Sequence, residues 1–229
     1  MKVKRINSPG TWSLQRKHGN WVTDPRSGNK RSESLSLSHV MKLLGICAST
    51  REVKKLISER KILLNGKNAK SYNLGMGLFD VVTVHGENKS WRLVYNDSHR
   101  LSLINCKDSD KKIVRVEGKQ VLPGGKGLQL NLSGGLNIIS TKKNASTGDS
   151  LLISLPDLKI LDHFKPSKGS LVYVIGGSYK GTVARVHAIK KIASAEPDIY
   201  TLKTKDGEFN TRKTSVFVIG NEKEAVQVS

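Results

Sequence analysis

Apolar and polar residues change their spacing several times along this chain, and each change marks a different element. Between Ser38 and Leu44, Val40, Met41, Leu43 and Leu44 recur at helical intervals, and Gly45 stands where a left-handed residue closes a helix. This predicts a short helix over 38–44. Ser49 and Glu52 then have the spacing of a capping box, so a second helix should begin there. At about 100° per residue, Val53, Leu56 and Ile57 gather on one side of it, with Arg51, Lys54, Lys55 and Ser58 on the other. "KILLNG" reads as a strand entering an Asn65-Gly66 turn, "KNAK" follows, and "DVVTVHG" supplies a later strand.

Beyond Trp91 the pattern becomes one of short strands. "WRLVYN", "RLSLINCK", "KIVRVEGKQVL", "GLQLNL", "LNIIS" and "SLLISLP" are separated by Gly, Asn and Asp, which predicts a small antiparallel sheet or partial barrel. The glycine clusters of "LPGGKGLQLNLSGG" match neither a phosphate-cradling loop nor a dinucleotide fingerprint, and tight turns between strands account for them. From Pro166, "GSLVYVIGGSYKGTVARVHAIKK" reads as strand, glycine-bounded loop and strand. Gly176 and Gly177 suit positive φ or close approach, Lys180 stands at the tip, and Gly181 lets the chain re-enter a strand. "IYTLKTKDGEF" predicts a hairpin across Asp206-Gly207, and "TSVFVIG" a closing strand.

Residues 1–31 have no sustained period and are punctuated by Gly and Pro, so they read as an extended arm with at most a turn or two of helix. The expected fold is therefore α+β, mostly β, and multi-domain. Its parts are a basic N-terminal extension (1–36), a small αα-β module (37–90), a central antiparallel β domain (91–165) and a small C-terminal β-barrel (166–229).

Charge narrows the function. The 229 residues carry 39 Lys and Arg against 19 Asp and Glu, a net charge of +20. Such an excess repels itself in the compact state, which points to a polyanionic partner. A membrane binder gathers its cations in one amphipathic helix or tail. Here they recur from Lys2 to Lys223, which favours nucleic acid over a membrane. No apolar run reaches the length of a bilayer span and the N-terminus lacks the apolar core of a signal peptide. With two separated cysteines, Cys47 and Cys106, neither a disulfide framework nor a zinc site is expected. The expectation is a soluble, intracellular protein.

No catalytic constellation emerges. His18, His39, His85, His99, His163 and His187 are scattered, none at the i, i+4 spacing of a metal pair, so no metal and no cofactor is expected. In the arm, Lys2, Lys4, Arg5, Arg16 and Lys17 are candidates for phosphate contacts, and Trp12 and Trp21 for base stacking. An arm of this composition is expected to order on RNA.

Residues Leu37 to Val84, through "STREVKKLISERKILLNGK" and "GMGLFDVVTV", resemble the RNA-binding module named after bacterial small-subunit ribosomal protein four, the S-four domain. The second helix and the following turn face RNA in that family. The resemblance thus implies RNA contact at Arg51, Lys54, Lys55, Lys61, Asn65, Gly66, Lys67 and Lys70. "VYVIGGSYKGTVARV" is similar to the KOW motif, carried on small barrels resembling an SH-three fold, which adds Gly177, Lys180, Gly181 and Arg185 as RNA-binding candidates. Ala184 departs from that motif where a second glycine is common.

In their order, and with "GNW", "LQLNLSGGLNI" and "TGDSLLISLP", these parts resemble the archaeal and eukaryotic type of small-subunit ribosomal protein four, the S-four-e family, in its archaeal branch. The resemblance implies a non-catalytic, cytoplasmic constituent of the small ribosomal subunit. Its partners would be ribosomal RNA and neighbouring small-subunit proteins. Two alternatives come from other classes. One is a free transcription or translation factor that docks proteins on its KOW barrel. The other is an RNA-modifying enzyme, because S-four-like modules also precede pseudouridine synthase domains. Those enzymes need an Asp after an Arg-Leu pair, and here "HRLS" puts Ser102 in that place without a partner base.

Overall fold

A computed structural model describes residues 2–86, 89–123, 127–140, 145–192, 196–204, 207–221 and 223–228. The chain is mostly β with two short α-helices. It forms two compact units, one of Met1–Lys112, Leu155–Asp157 and Val228–Ser229, the other of Ile113–Ser154 and Leu158–Gln227.

In the first unit, strands β1 (Lys2–Lys4) and β2 (Trp21–Thr23) pair antiparallel, with Val3 opposite Val22. Strand β3 (Ser34–Ser36) leads directly into α1 (Leu37–Leu43), whose Leu37, Val40 and Met41 are fully buried. Gly45 at φ 71 ends this turn, as a left-handed closing residue should. Helix α2 (Thr50–Ser58) buries Val53 completely. Then come β4 (Ile62–Leu64), β5 (Lys67–Asn68), β6 (Gly75–Gly77), β7 (Val81–Val84), β8 (Lys89–Tyr95) and β9 (Leu101–Asn105). Strand β6 pairs with β3, and the others form one antiparallel sheet in the order β5-β4-β7-β8-β9.

The boundary expected at residue 90 falls inside β8, which pairs with β7 through Val82 opposite Trp91. Strands separated by so short a connection form a hairpin, so the sheet of the αα-β module runs on to Asn105. Leu93, Val94 and Leu101 are buried there.

The N-terminal arm corrects a second expectation. It is folded against the rest of its unit, with Leu101 N–H donating to the Thr11 carbonyl at 2.7 Å and Ser13 Oγ donating to the Leu101 carbonyl at 3.0 Å. Trp12, expected to stack on bases, is 3 % exposed, and its Nε1–H donates to the Arg31 carbonyl at 3.1 Å. Burying a large ring while satisfying its one donor is a better use of an indole than exposure to water. Arg31 also pairs with Asp24, Nη2 to Oδ2 and Nε to Oδ1 both at 2.9 Å. His39 lies beside Trp12, ring centroids 6.4 Å apart. Burial, then the charge of Arg5, pushes its pKa down to about 4.

A buried polar cluster organises the same unit. The Asp80 carboxylate accepts from the Gly77 N–H at 2.6 Å and from Asn65 Nδ2 at 2.8 Å, and it pairs with the ammonium of Lys112. Asp80 and Lys112 are both buried. The Arg92 side chain is fully buried too, its Nη2 donating to the carbonyls of Asp108 (2.6 Å) and Lys111 (3.0 Å). Those two bonds fix the segment that delivers Lys112 to Asp80.

In the second unit, β10 (Lys111–Val121, entering from the first unit), β11 (Leu128–Leu132), β12 (Leu136–Ser140), β13 (Ser150–Ser154) and β14 (Ile160–Phe164) form a sheet in the order β12-β11-β10-β13-β14. Val114, Val116, Leu130, Leu132, Leu151 and Ile153 make its core. Gly124, Gly125 and Lys126 of the glycine-rich stretch lie outside the described residues. A second five-stranded sheet follows, of β15 (Leu171–Val174), β16 (Val183–Lys190), β17 (Ile199–Thr204), β18 (Gly207–Arg212) and β19 (Val216–Gly220), in the order β18-β17-β16-β15-β19 with every pair antiparallel. The hairpin expected across Asp206-Gly207 forms between β17 and β18, Asp206 itself lying outside the described residues. Ala184, where the motif commonly has glycine, is buried opposite Val172, so its methyl group packs inward.

Two outcomes follow from these buried groups. Lys112→Met strands the Asp80 charge without its counter-ion and should lower the stability of the first unit by about 3–5 kcal/mol. Urea unfolding followed by Trp12 fluorescence measures this, and a loss below about 1 kcal/mol would show that Lys112 contributes no needed charge. For His39, the unfolded chain takes up a proton near pH 6.5 that the folded chain refuses down to about pH 4. Stability should therefore fall as pH is lowered through that window, and His39→Gln should flatten the fall. Equal slopes for the two proteins would reject the assignment.

Candidate nucleic-acid interface

Helix α2 exists because its first turn is capped reciprocally. The Glu52 N–H donates to Ser49 Oγ at 3.3 Å, Ser49 Oγ donates to Glu52 Oε1 at 2.7 Å, and the Ala48 N–H donates to Glu52 Oε2 at 2.8 Å. The Ser49 hydroxyl, then the Ala48 N–H, holds the Glu52 carboxyl below its usual pKa, so the cap keeps its charge at neutral pH. With Val53 buried and Leu56 and Ile57 half-buried, the opposite face carries Arg51, Lys54 and Lys55 into solvent. Lys54 Nζ stands 4.9 Å from the centroid of the Tyr72 ring, a cation–π contact. Lys54, Arg60, Lys70 and Tyr72 line an open cleft of about 640 Å³ between α2 and the chain after β5.

The turn after β4 has the hairpin form expected of Asn-Gly. Asn65 is at φ 52 and Gly66 at φ 75, both left-handed, as a primed two-residue turn requires. A Cβ on Gly66 would come within 3.2–3.3 Å of Pro156, a second reason for glycine there. The Asn65 side chain, expected to face RNA, is occupied internally. Its Nδ2 donates to Asp80, and its Oδ1 accepts from the Val81 N–H at 3.0 Å. Asn65 therefore positions the turn, leaving exposed Lys67 and Lys70 as its cationic side chains. Lys61 is exposed and pairs with Glu59 at 2.7 Å.

The structure brings the arm's candidates together around Trp21, which is 56 % exposed. Trp21, Lys4, Arg16 and Lys17 line a depression of about 460 Å³. Lys2 and Arg5 line an adjoining cavity that also touches Trp21. Reading the chain alone missed Lys42, Arg60 and Tyr72. Their signal was there only in part, because Lys42 follows the helical spacing of α1 but the fold alone sets it beside the arm.

In the C-terminal sheet, the loop from β15 to β16 holds Gly177 at φ 83 and Gly181 at φ 94, with Lys180 half-buried between them and Arg185 exposed on β16. Tyr179, also missed, stacks on Phe209 with centroids 3.9 Å apart and planes 13° from parallel. Among the described residues no group of three or more His, Cys, Asp or Glu could hold a metal ion, and no helix is long and apolar enough to cross a membrane.

Similarity to known proteins agrees with this layout. A model of the S4 domain matches residues 37–80, and a model of ribosomal family S4e matches residues 87–160. The small ribosomal subunit protein eS4 of Methanocella arvoryzae is 35 % identical over 98 % of this chain and 96 % of its own. That of Archaeoglobus fulgidus is 32 % identical over 96 % of this chain and 93 % of its own. The crystal structure of the 30S ribosomal protein S4e from Thermoplasma acidophilum superposes with a TM-score of 0.70 at 27 % identity, covering 84 % of this chain and 97 % of that one. A relation that runs from end to end at this identity means that the chain belongs to the S4e family of ribosomal proteins.

Proposed function

We propose that this protein is a structural, non-catalytic constituent of the small ribosomal subunit in the cytoplasm, where it binds ribosomal RNA and touches neighbouring ribosomal proteins. The observation that carries the reading is its full-length relation to eS4 proteins, which are named for that subunit. A net charge of +20, arranged on exposed faces rather than in one tail, supplies the physical means. Lysines and arginines displace condensed counterions from the phosphates, and that release drives association.

On this reading the α2 face (Arg51, Lys54, Lys55) and the nearby Lys61, Lys67 and Lys70 contact the RNA backbone, with Gly66 allowing close approach at the turn. The arm contributes Lys2, Lys4, Arg5, Arg16 and Lys17 with Trp21 as stacking residue. Asn65 and Trp12 hold these groups in place from within. We further read the last sheet as a KOW-type small barrel of SH-three-like form. Its β15–β16 loop would present Gly177, Lys180, Gly181 and Arg185 to RNA, which the left-handed glycines and the exposed Arg185 support. The division into extension, S-four-like module, central β domain and barrel remains part of this proposal, with the module's sheet extended to Asn105.

Two experiments test the reading. The native protein should sediment with small subunits and stay there through a high-salt wash, whereas a free pool would favour an unattached factor. Replacing Arg51, Lys54 and Lys55 together by Ala should weaken binding to small-subunit RNA. It should also reduce the slope of log K against log salt by about one unit for each phosphate that is no longer neutralised. An unchanged slope would mean that the α2 face is merely solvated.

A further inference from the structure

We infer that the cavity between the β1–β2 pair and helices α1 and α2 is a socket for one backbone phosphate of a single-stranded RNA segment, with Trp21 on its rim stacking the adjoining base. The inference rests on the RNA-binding reading above and adds Lys42 and Thr50 to it.

The cavity holds about 190 Å³, and its wall includes Lys2, Arg5, Trp21, His39, Lys42 and Thr50. Three of those side chains are cations, and no acid is among the described residues that line it. Glu52, the nearby acid, has both carboxylate oxygens engaged by its own cap, at Ser49 and Ala48. The Arg5 Nε–H is buried and has no hydrogen-bond acceptor among the described residues. The Arg5 guanidinium also brings its charge to the cavity wall, and a phosphate oxygen is the strongest acceptor an RNA can offer such a group. Lys42 Nζ donates to Thr50 Oγ1 at 3.2 Å, which leaves two of its three protons for an anion.

The same cations act on His39. After burial, the charges of Arg5 and Lys42 help to hold its pKa down at about 4, so the wall is positive. Its Nε2 is buried without a partner among the described residues, and a pKa of about 4 leaves the ring neutral at pH 7. The ring therefore adds shape without adding charge at neutral pH.

Trp21 decides the kind of RNA. More than half exposed, it borders both this cavity and the depression of Lys4, Arg16 and Lys17. An indole flanked by cations on two sides fits a strand whose backbone runs past it and whose base lies on the ring. A base inside a duplex is already stacked on both faces and cannot do this, so the site takes an unpaired nucleotide.

The test uses the full-length protein with a short single-stranded oligoadenylate and, separately, inorganic phosphate. Filling the socket with the oligonucleotide should raise the His39 pKa in an NMR titration. It should also quench the fluorescence that Trp21→Phe removes. Lys42→Gln should weaken oligonucleotide binding about three- to tenfold and lower the salt slope by about 0.7, the single-strand value per phosphate. Lys119→Gln, the same charge change on β10, should do neither. If inorganic phosphate raises the His39 pKa while the oligonucleotide leaves Trp21 unquenched, the site takes a free anion and the inference is overturned. Equal losses for Lys42→Gln and Lys119→Gln would also overturn it, in favour of a diffuse field. Salt-dependent binding to small-subunit RNA with His39 and Trp21 both silent sinks the socket alone. Absence of any binding to that RNA sinks the functional reading as well.

Discussion

The buried ion pair of Asp80 and Lys112 is the contact on which the αα-β module depends. A carboxylate enclosed by protein needs partners for its oxygens, and this one has an ammonium, a side-chain amide and a backbone N–H. Through Asn65 it reaches the turn between β4 and β5, and through Gly77 it fixes the end of β6. Through Lys112 it ties down the strand that leaves the unit. Phe79, at φ 62, is held in a left-handed conformation next to it, a strain that only an over-determined surrounding sustains. Ion pairs of this kind add little net stability over an apolar replacement, but losing one partner leaves the other charge buried and uncompensated where the three segments meet.

Such rigidity answers a difficulty posed by the charge. Twenty excess positive charges oppose compaction, and the interior must hold the chain together without help from its surface. The structure separates the two tasks. Apolar side chains such as Leu37, Val40, Met41 and Val53 are buried where the helices pack, and most of the cations proposed to meet RNA stay outside. Where basic side chains do enter the core they are matched, Arg92 by two carbonyls and Lys112 by Asp80.

What could be read from the sequence was local. Ser49 and Glu52 predict the start of α2 because a capping box closes over three residues, and Asn65-Gly66 predicts its turn because φ preferences belong to single residues. Gly45, Gly177 and Gly181 are legible for the same reason. Trp12 was misjudged because its partners, Leu101 and Arg31, are set by the fold and leave no periodic trace near it. Asn65 shows the limit within one residue: its backbone role was visible and its side-chain bond to Asp80 was not. Residue 90, the expected boundary, lies inside β8 because a short connection joins paired strands as readily as it separates domains.

Burying Trp12 has a consequence for recognition. A disordered arm that folds on RNA gives up part of its interaction energy to ordering, whereas an arm already anchored by Trp12, Thr11 and Ser13 presents its cations preformed. Two tryptophans nine residues apart thus take opposite parts, one spent inside to fix the backbone and the other left in water. Exposure of Trp21 is costly for the free protein, and the cost is recovered only when something flat covers the ring. With cations on either side and no acid among the described residues lining either hollow, the covering group on the proposed reading is part of a polyanion. An unpaired base in a folded RNA meets both requirements, and a protein side chain meets only the first.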